Sequence, residues 1–516
     1  MKSLFADESE YEAFLKSYED SPAAGVRLNP WKGSREELLI MLDDIFSGDG
    51  TALRSTVPKK PPLFSPVPWE PNGFYYEPVI RPGKHPFHEM GLYYIQEPSA
   101  MSAVPLLDPQ PGERILDLCA APGGKTTQIA GRMCLLTQIP GKMRQCGLLV
   151  SNEIHPARAK ILSQNVERMG LSNVLVTNET PERLSARFPA YFDRILVDAP
   201  CSGEGMFRKN PEARLEWSSG EVTACADRQR HLLDLAASML RPGGRIVYST
   251  CTFSKAEDED VAETFLAGHK VFHSCEYTRF FPHRQRGEGH FVAVLEHNQA
   301  ERDSRPSVRL PVSDYSCDSV QYLNDSTVSN SDGLSVCRSA ELPEYGVGYK
   351  IAAEKSTRFA QSENRSPEFP PLKDRQVLKI WEEFSRTVFA PEAAALFPRE
   401  RLLLFGEQLY LAPEYCPKLD KLKILRPGLH LGTLQKGRLV PSHALALFLK
   451  PADVRHRLLL PLADERVARY FAGDVINCEN EQGWTLVCVE GFSAGWGKAS
   501  GGVVKNHYPK ALRKKF

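Results

Sequence analysis

Residues 115–127 read Ile-Leu-Asp-Leu-Cys-Ala-Ala-Pro-Gly-Gly-Lys-Thr-Thr and decide the fold class of this chain. An apolar strand runs into a turn of small residues, and the pattern predicts a helix that begins near Lys125. In an open α/β sheet, nucleotide-like ligands bind at such a strand end, where glycines let the backbone come close and helix N–H groups suit an anion. The stretch lacks the Gly-x-x-x-x-Gly-Lys pattern of a phosphate loop, and the alternative is an ordinary strand–helix turn.

The alternation of strand and helix extends over residues 89–298. Short apolar runs lie at 114–118, 148–151, 174–177, 194–197 and 245–249. Helical patterns lie between them at 157–169 and 221–240, and the second is followed by Pro242-Gly243-Gly244. Strands that alternate with helices predict βαβ units and a doubly wound parallel sheet, that is, the α/β class.

The segments that flank this region differ from it in composition. Residues 1–88 combine a helical stretch with a proline-rich end and predict a small α+β domain. Residues 299–374 are rich in Ser, Asp, Asn and Pro, which predicts a mobile linker or insertion with too little apolar surface to pack. Residues 375–516 return to a folded pattern of short strands and glycine-rich turns.

Composition excludes several classes of protein. The 516 residues are 42% apolar and 25% charged, which argues against a mainly disordered or fibrous chain. Lys plus Arg equals Asp plus Glu at 64 each, so a polyanionic partner must meet a local patch. The chain shows no signal peptide and no run of about 18 apolar residues, which predicts a cytoplasmic protein without a membrane partner. The twelve cysteines include no Cys-x-x-Cys pair, so we predict mostly reduced thiols and no metal site.

Two more strand ends carry reactive side chains. Residues 198–205 read Asp-Ala-Pro-Cys-Ser-Gly-Glu-Gly, and residues 248–252 read Tyr-Ser-Thr-Cys-Thr. Because the carboxyl ends of parallel strands meet at one edge of a sheet, we expect Cys201 and Cys251 on the same edge. The alternative is a pair of buried structural thiols.

Charged residues near these strand ends have two interpretations each. Glu153 follows the second strand and is placed to accept hydrogen bonds from ribose hydroxyls, or it is an acid that complements a helix N-terminus. Arg208 and Lys209 follow Cys201 closely, and they lower a thiol pKa or meet a phosphate, or they form a solvated basic pair.

These motifs resemble the signatures of the Sun-type RNA cytosine-5 methyltransferases. The matching stretches are QEPSAM (96–101), LDLCAAPGGKTTQ (116–128), DAPCSGEGMFRKNPE (198–212) and YSTCTFSKAEDE (248–259). The stretches at 428–438, 441–447 and 495–513 resemble the PUA-like RNA-binding modules of bacterial members that modify small-subunit ribosomal RNA.

The resemblance implies a Rossmann-like methyltransferase core that uses S-adenosyl-L-methionine, with PUA-like C-terminal domains. The family's cofactor-binding residues fall here on Cys119, Ala120, Ala121, Pro122, Gly123, Gly124, Lys125, Glu153 and Asp198. Its nucleophile falls on Cys251, and its catalytic aspartate falls on Asp198. Cys201 takes the place of the second cysteine, which assists breakdown of the covalent intermediate.

These residue types suit methylation of cytosine at C5. C5 is a poor nucleophile, but addition of a thiolate to C6 makes it an enamine-like carbon that attacks a sulfonium methyl. Asp198 is placed to hydrogen-bond the N3/N4 edge as electrons move onto the ring. Cys201 or a water then helps H5 leave and the sulfur–carbon bond break. The base must be unpaired or flipped out to react.

The chain departs from the family pattern at two places. The family often has an aspartate near the adenine after the third strand, whereas Thr180 stands there, with Asn178 or Glu179 as the candidate replacement. Residues 133–146 are longer than the family pattern, and their Pro140-Gly141 predicts a surface loop.

The predicted partner is RNA, and the resemblance implies 16S ribosomal RNA in the 30S subunit. Residues 491–516 contain no acid and six basic residues, which are Lys498, Lys505, Lys510, Arg513, Lys514 and Lys515. Trp496, His507 and Tyr508 interleave with them, which predicts phosphate and base contacts, and 421–438 adds positive charge. The alternative for this tail is a solvated charge run.

Two other functions stay open at the level of sequence. One is a tRNA cytosine-5 methyltransferase, which would use the same two cysteines on another RNA. The other is a non-catalytic ribosome-assembly factor on the same fold, which the intact Cys251 and Gly123-Gly124 disfavour. No obligate protein partner is evident in the sequence.

Overall fold

The computed structural model describes residues 2–46, 63–135, 146–298, 372–479 and 481–516. The predicted linker at 299–374 lies outside the described residues except for its last three positions. The predicted surface loop at 133–146 lies outside them at 136–145.

The largest sheet of the described chain contains the predicted strand–helix region. Its order is Phe272–Phe280, His290–His297, Leu240–Thr250, Phe192–Asp198, Arg114–Asp117, Leu148–Asn152, Val174–Thr177 and Ile424–Pro427. The five predicted strands run parallel, which confirms the α/β class. Three further strands that the sequence pattern did not include, Phe272–Phe280, His290–His297 and Ile424–Pro427, extend the sheet by antiparallel pairing. Their pairing depends on tertiary contacts that a local strand–helix pattern does not contain.

Helices cover both faces of this sheet. They are Ala103–Leu107, Gly124–Leu135, Pro156–Arg168, Pro181–Arg187, Ser219–Met239 and Glu259–Gly268, while the short helix Ala213–Glu216 is largely exposed. Prolines occupy the first position of two of them, where the missing N–H has no partner to lose. Alternate strand residues enter separate apolar clusters, with Ile115 in one and Leu116 in the other. The strands are therefore buried on both faces, which explains why they read as continuous apolar runs.

The N-terminal residues form an antiparallel sheet. Its order is Phe64–Pro66, Gly73–Tyr76, Gly25–Leu28 and Tyr93–Ile95, and its helices are Glu8–Lys16, Arg35–Phe46 and Pro86–Glu89. The proline-rich segment contributes Phe64–Pro66 at the edge, where a missing N–H is tolerated. Helix Glu8–Lys16 buries Phe14, whose ring centroid lies 5.3 Å from that of Phe253, just beyond the second cysteine motif. The N-terminal helix thus supports the back of that motif.

The C-terminal residues form two more sheets. One has the order Leu402–Phe405, Gln408–Leu411, Leu429–Gln435 and Arg438–Pro441. The other has the order Arg457–Leu460, Gly483–Val489, Phe492–Ser500, Val503–Asn506 and Ile476–Asn477. The accompanying helices are Arg375–Val388, His443–Phe448 and Glu465–Ala472. Across the described ranges, no helix has the length and apolar surface needed to cross a bilayer.

The segment that leads into strand Ile424–Pro427 binds the central domain through backbone and side-chain contacts. The Arg183 and Arg187 guanidinium groups donate to the carbonyls of Lys421 and Lys418 at 2.7 and 2.9 Å. Arg426 is buried, donates to Ser163 Oγ at 3.1 Å and pairs with Glu167. The prediction that 421–438 adds free positive charge was therefore wrong for Arg426, because this cation is used inside the protein.

Cys134 and Cys146 form a disulfide, with Cα atoms 4.9 Å apart. This corrects the prediction of reduced thiols for these two residues. The fold brings Cys134, near the end of helix Gly124–Leu135, beside Cys146, two positions before strand Leu148–Asn152. The sequence spacing does not show this contact. The remaining cysteines of the described ranges are free thiols.

Candidate active site

The carboxyl ends of three neighbouring parallel strands bring the three sequence motifs together. Strand Arg114–Asp117 lies between Leu148–Asn152 and Phe192–Asp198, and the latter pairs with Leu240–Thr250. Asp198 stands opposite Ser249 in this register, so the turns after the two strands leave the sheet side by side. The geometry agrees with the sequence-based expectation that Cys201 and Cys251 share one edge.

The two cysteines form a close pair. Their sulfur atoms are 3.2 Å apart, and the backbone N–H of Cys251 donates to Cys201 Sγ at 3.3 Å. The hydrogen bond from the Cys201 thiol lowers the pKa of the Cys251 thiol against the opposing effect of burial. The same contact, together with burial, raises the pKa of Cys201. The pair therefore favours a thiolate on Cys251 and a protonated Cys201.

An ion pair lies beside the cysteines. Lys125 Nζ is 2.8 Å from Asp198 Oδ1, and the Ser249 hydroxyl donates to the same oxygen at 2.8 Å. Burial opposes ionisation of Asp198, but the Lys125 ammonium outweighs it and lowers the pKa of this carboxyl. The site therefore presents a fixed carboxylate with a positive charge next to it.

Buried polar contacts hold the turn that carries Cys201. Ser202 donates to Glu257 through its hydroxyl at 2.5 Å and through its backbone N–H at 2.9 Å. Gln229 Nε2 donates to the Pro200 carbonyl at 2.9 Å and to Glu257 at 3.2 Å. The sequence analysis did not select Glu257 or Gln229, although Glu257 lies within the quoted stretch 248–259.

The sequence analysis also missed His290, on the strand next to Leu240–Thr250. Burial, with the nearby Lys125 charge, lowers the pKa of His290 to about 3. Its Nε2 is buried and has no hydrogen-bond partner among the described residues. A neutral imidazole therefore lies near the Lys125–Asp198 pair, and only its position in the fold reveals it.

The small-residue turn at 119–125 is held by the helix Pro156–Arg168. Arg158 donates to the Ala121 carbonyl at 2.9 Å, and Asn165 donates to the Pro122 carbonyl at 2.8 Å. Gly123 has φ +115°, a conformation that favours glycine, and a Cβ there would lie 3.2 Å from Leu162. The backbone of this turn is thus fixed at the strand end, as a ligand-binding loop requires.

Asp117, the last residue of the central strand, is a further buried acid that the sequence analysis did not select. Burial raises the pKa of Asp117 to about 7, and Thr126 donates to its Oδ2 at 2.6 Å. Its Oδ1 has no hydrogen-bond partner in the part of the chain that the structure describes. A buried oxygen of this kind calls for a donor, which a bound ligand can supply.

Glu153 lies at the end of the neighbouring strand and is 3% exposed. Its Oε1 accepts from the His155 N–H at 2.9 Å, and its Oε2 is 3.4 Å from Arg158 Nη1. These contacts match the helix-terminus interpretation. Binding of ribose hydroxyls by Glu153 stays a prediction. It would require Glu153 Oε2 to give up its 3.4 Å contact with the half-exposed Arg158 and accept from the ribose instead.

Thr180, which stands in place of the expected acid, and the two candidate replacements for the adenine contact, Asn178 and Glu179, have different surroundings. Thr180 caps helix Pro181–Arg187 by accepting from the Arg183 N–H at 3.4 Å. Glu179 pairs with Arg183 at 2.8 Å and accepts from the Lys423 N–H at 2.6 Å. Asn178 donates its amide to the carbonyls of Glu153 and Ile154. Glu179 is therefore committed to a domain contact, whereas Asn178 stays at the edge with Glu153.

Arg208 is not available to the cysteines or to a phosphate. It forms a buried ion pair with Glu288 at 2.9 Å and donates to the Ser17 and Gly287 carbonyls. The prediction of a free or solvated cation was wrong for Arg208, because an acid distant in sequence neutralises it. Lys209 is exposed.

The C-terminal basic segment is partly buried. Trp496 and Tyr508 are 1% and 2% exposed, so the prediction that they contact bases was wrong. Trp496 donates from Nε1 to the Ser442 carbonyl at 2.9 Å, next to the helix His443–Phe448 that packs on its strand. Tyr508 packs against Tyr470 and Phe471. Bulky aromatic residues in this segment complete the domain core.

An exposed group of side chains remains at the end of the same sheet. Lys498 and Lys505 face each other across neighbouring strands. Lys498 Nζ lies 5.6 Å from the ring centroid of Trp484, and the His507 ring lies 4.6 Å from that of Trp484. We call these four residues the Trp484 patch. It combines two cations with an aromatic surface.

One group of side chains has the composition of a metal site. His273, Cys275 and Glu296, on the edge strands, each offer an atom within 4.8 Å of the others. Arg245 already pairs with Glu296 at 2.5 Å, and its charge opposes a cation there. The group lies on edge strands, away from the carboxyl ends that carry the cysteines.

The contact between Cys201 and Cys251 leads to a prediction about the pH at which Cys251 ionises. Replacing Cys201 with alanine removes the hydrogen bond that lowers the Cys251 pKa, so Cys251 should ionise at higher pH. Alkylation of Cys251 by iodoacetamide, followed by peptide mass spectrometry between about pH 6 and pH 10, should show an upward shift of the midpoint. The Cys225→Ala variant, altered in a buried helical thiol outside the pair, should titrate as the wild type does. An unchanged or lower midpoint in Cys201→Ala would contradict the assigned direction.

The fold and the site together define a Rossmann-like methyltransferase fold. The features that define it are the strand order, the glycine-rich turn, the aspartate–lysine pair and the two cysteines at the carboxyl edge of the sheet. Residues 104–301 match the family model for 16S rRNA methyltransferase RsmB/F. Residues 1–98 match the N-terminal domain of 16S rRNA methyltransferase RsmF. Residues 386–449 match the first C-terminal domain of the RsmF rRNA methyltransferase, and 457–514 match the methyltransferase RsmF PUA domain. The family predicted from the motifs is thus confirmed.

Curated relatives are named ribosomal RNA small subunit methyltransferase F. The relative from Serratia proteamaculans is 38% identical over 268 residues, which are 48% of this chain and 54% of that protein. The match therefore spans about half the length of that relative. The relative from Enterobacter sp. is 29% identical over 532 residues, or 97% of this chain and 92% of that protein. A solved methyltransferase homolog from Pyrococcus horikoshii is 25% identical, covers 55% of this chain and 90% of that chain, and has a TM-score of 0.45.

Proposed function

We propose that the protein methylates C5 of a cytosine in the RNA of the small ribosomal subunit, with S-adenosyl-L-methionine as methyl donor. The observation that carries this proposal is the pair of thiols with sulfur atoms 3.2 Å apart. It lies at the same sheet edge as the Lys125–Asp198 ion pair. A thiolate, a carboxylate and a second thiol are the groups that addition to C6 and later release of the product require.

The residues at the strand ends fit the proposed cofactor. Asp117 Oδ1 is a buried acceptor without a donor among the described residues, and the fixed turn at 119–125 offers backbone groups beside it. The residues proposed to hold the cofactor are Cys119, Ala120, Ala121, Pro122, Gly123, Gly124, Lys125, Glu153 and Asp198, to which the structure adds Asp117. When bound, S-adenosyl-L-methionine supplies an electrophilic sulfonium methyl group.

The reaction begins at Cys251. Its thiolate forms a bond to C6 of the base, and the electrons of the C5–C6 double bond move toward N3 and O2. Asp198 accepts a hydrogen bond from the N4 amino group and holds this edge of the base. Lys125 places a positive charge beside the ring as negative charge develops there, and it needs no movement to do so because Asp198 fixes it.

The reaction ends by elimination. With S-adenosyl-L-methionine bound, C5 would take its methyl group as the methyl–sulfur bond breaks and S-adenosylhomocysteine is released, after which C5 would carry both the methyl group and H5. A water then accepts H5 as a proton, the C5–C6 double bond re-forms, and the Cys251 sulfur leaves with its electron pair while the protonated Cys201 thiol donates a hydrogen bond to it. Because the cysteine pair lies at the sheet edge behind folded turns, the target base must leave its stack to reach it.

The proposed partner is RNA, docked by residues 1–88 and by the C-terminal region 375–516 on either side of the catalytic domain 89–298. Base stacking on exposed aromatic rings and phosphate contacts by lysines are common means of RNA binding. The Trp484 patch offers two exposed lysines, the exposed His507 ring and the half-buried Trp484 ring. A ribosomal substrate also implies a cytoplasmic location, which we include in the proposal.

The Trp484 patch leads to a prediction about salt dependence. Changing Lys498 and Lys505 together to alanine should weaken RNA binding several-fold. The slope of log affinity against log salt is negative, and its magnitude should fall by about two. The slope is measured by filter binding of labelled 16S rRNA over a series of salt concentrations. Lys160 and Lys270, which are exposed outside the two proposed docking regions, provide the matched double-alanine control and should leave the slope unchanged. Equal slopes in all three proteins would exclude the patch as a phosphate contact.

Methyl transfer from labelled S-adenosyl-L-methionine tests the proposed function. The acceptors are 16S rRNA, 30S subunits and tRNA, with digestion to nucleosides to identify 5-methylcytosine. We expect label in 16S rRNA, either free or in the 30S subunit. Label in tRNA alone would keep the chemistry and overturn the substrate. No label in any RNA, despite binding of S-adenosylhomocysteine, would overturn the enzyme and favour an assembly factor.

A further inference from the structure

A buried arginine of the N-terminal sheet contacts the glycine-rich turn of the central domain. Arg27, in strand Gly25–Leu28, is 2% exposed. Its Nη2 donates to the Gly124 carbonyl at 3.1 Å and to Thr127 Oγ1 at 2.7 Å, and its Nε donates to Gln96 Oε1 at 2.9 Å. Gly124 and Thr127 belong to the first turn of helix Gly124–Leu135. One side chain from the N-terminal domain thus binds the start of that helix.

The backbone of the turn also lies directly against the N-terminal sheet. A Cβ at Gly124 would lie 3.4 Å from the Tyr94 ring and 3.5 Å from the Gln96 side chain. The Tyr94 ring carries the Arg27 guanidinium at 5.8 Å and the Arg168 guanidinium at 5.4 Å. The turn thus lies within van der Waals distance of strand Tyr93–Ile95, and two guanidinium groups lie over the tyrosine ring.

Further hydrogen bonds continue along the same face of the helix. Gln128 receives a hydrogen bond from Gln96 at 3.3 Å and donates to Glu70 at 2.6 Å. Arg132 pairs with Glu70 at 3.0 Å. Gln96, Gln128 and Glu70 are buried, and hydrogen bonds between buried polar side chains restrict their geometry. The N-terminal domain thus holds the first two turns of the helix in place.

We propose that Arg27 is a positioning residue of the cofactor site, so that the N-terminal domain completes this site in addition to docking RNA. The inference rests on the proposed function only in taking the turn at 119–125 as the cofactor loop. By holding the Gly124 carbonyl, Arg27 sets the plane of the Gly124–Lys125 peptide. That plane sets the direction of the Lys125 N–H and the point from which the Lys125 side chain reaches Asp198.

A neighbouring residue separates this role from simple attachment of the domains. Asn29 lies two positions along the same segment and is 1% exposed. Its amide donates to the carbonyls of Gly91 and Met169 at 2.8 and 2.9 Å, away from the glycine-rich turn. Asn29→Ala therefore removes buried contacts of the same kind between the same two domains, but none that touch the cofactor loop.

Calorimetric titration of the full-length protein with S-adenosylhomocysteine, in the absence of RNA, tests the proposal. Arg27→Met keeps the length of the side chain without its donors and should raise the Kd about tenfold, as loss of an outer partner of a binding group commonly does. Arg27→Lys keeps the positive charge and can still donate a hydrogen bond. Its Kd should therefore lie between those of the wild type and Arg27→Met. Asn29→Ala should bind as the wild type does, even where its Tm falls.

The outcomes separate this inference from the proposed function. An unchanged Kd in folded Arg27→Met, or equal losses in Asn29→Ala and Arg27→Met, would overturn the positioning role. If Arg27→Met does not fold, Thr127→Val removes the acceptor instead and should raise the Kd in the same direction; an unchanged Kd there would also overturn it. Wild-type protein that binds S-adenosylhomocysteine but methylates no RNA would overturn the proposed function and leave the role of Arg27 standing. Wild-type protein that binds none would overturn both.

Discussion

Cys251→Ala should abolish methyl transfer while it leaves binding of S-adenosylhomocysteine intact. The thiolate of Cys251 is the proposed nucleophile, and without the bond to C6 the C5 atom stays unreactive toward the methyl group. Cys201 lies 3.2 Å from Cys251 in the wild type, and in the variant its burial still raises the pKa of its thiol, so it does not replace the missing thiolate. Loss of a covalent nucleophile should lower kcat by at least about a thousandfold.

The measurement compares label transfer to 16S rRNA by the wild type, Cys251→Ala and Cys225→Ala. Cys225 is a buried thiol on helix Ser219–Met239 and lies outside the cysteine pair, so its variant controls for loss of a buried sulfur. Calorimetry with S-adenosylhomocysteine shows whether each variant still folds and binds. Activity in Cys251→Ala, together with inactivity in Cys201→Ala, would reverse the two assigned roles.

Cys201→Ala should accumulate a covalent complex between the protein and its RNA. Methyl transfer can proceed in this variant, but the thiol proposed to donate to the departing Cys251 sulfur is missing, so elimination of the Cys251 thiolate slows. A protonated thiol next to the attacking sulfur suits this later step, since it can stabilise the leaving thiolate by a hydrogen bond without competing for C6. We expect most of the protein to be trapped under conditions in which the wild type turns over.

Denaturing gel electrophoresis with labelled RNA detects the trapped complex as a slowly migrating band. The experiment needs a pH above neutral, because loss of Cys201 also raises the pKa of Cys251 and slows the first step. The double variant Cys201→Ala/Cys251→Ala is the matched control and should form no band. Release of RNA from Cys201→Ala at the wild-type rate would show that water alone suffices and that Cys201 has no part in elimination.

The local sequence predicts the features that depend on neighbours along the chain. The parallel strands read as continuous apolar runs because both of their faces are buried, and strand Val174–Thr177 matches its predicted bounds. Parallel strands also share one edge for their carboxyl ends, which is why Cys201 and Cys251 could be expected together before any coordinates. The motif resemblance then supplied their roles, which remain predictions.

Features that depend on tertiary packing escaped the sequence. Trp496 and Arg208 look like RNA-contact residues by composition, but a helix and an acid far along the chain bury them. Asp117, Glu257 and His290 were missed for the opposite reason. Asp117 and His290 adjoin apolar runs and Glu257 lies in a charged run, and only the folded structure shows that all three are buried.

The pairing of Ile424–Pro427 with Val174–Thr177 has a consequence for the solubility of the protein. Without it, the last parallel strand would expose a row of unpaired N–H and C=O groups along four fully buried, apolar-rich residues. Such an edge is a template for strand addition between molecules, and β-rich aggregates grow from it. By pairing with this edge, the C-terminal region prevents self-association of the catalytic sheet. A catalytic domain separated from the C-terminal region by proteolysis or truncation would be prone to aggregate, whether or not it had also lost RNA binding.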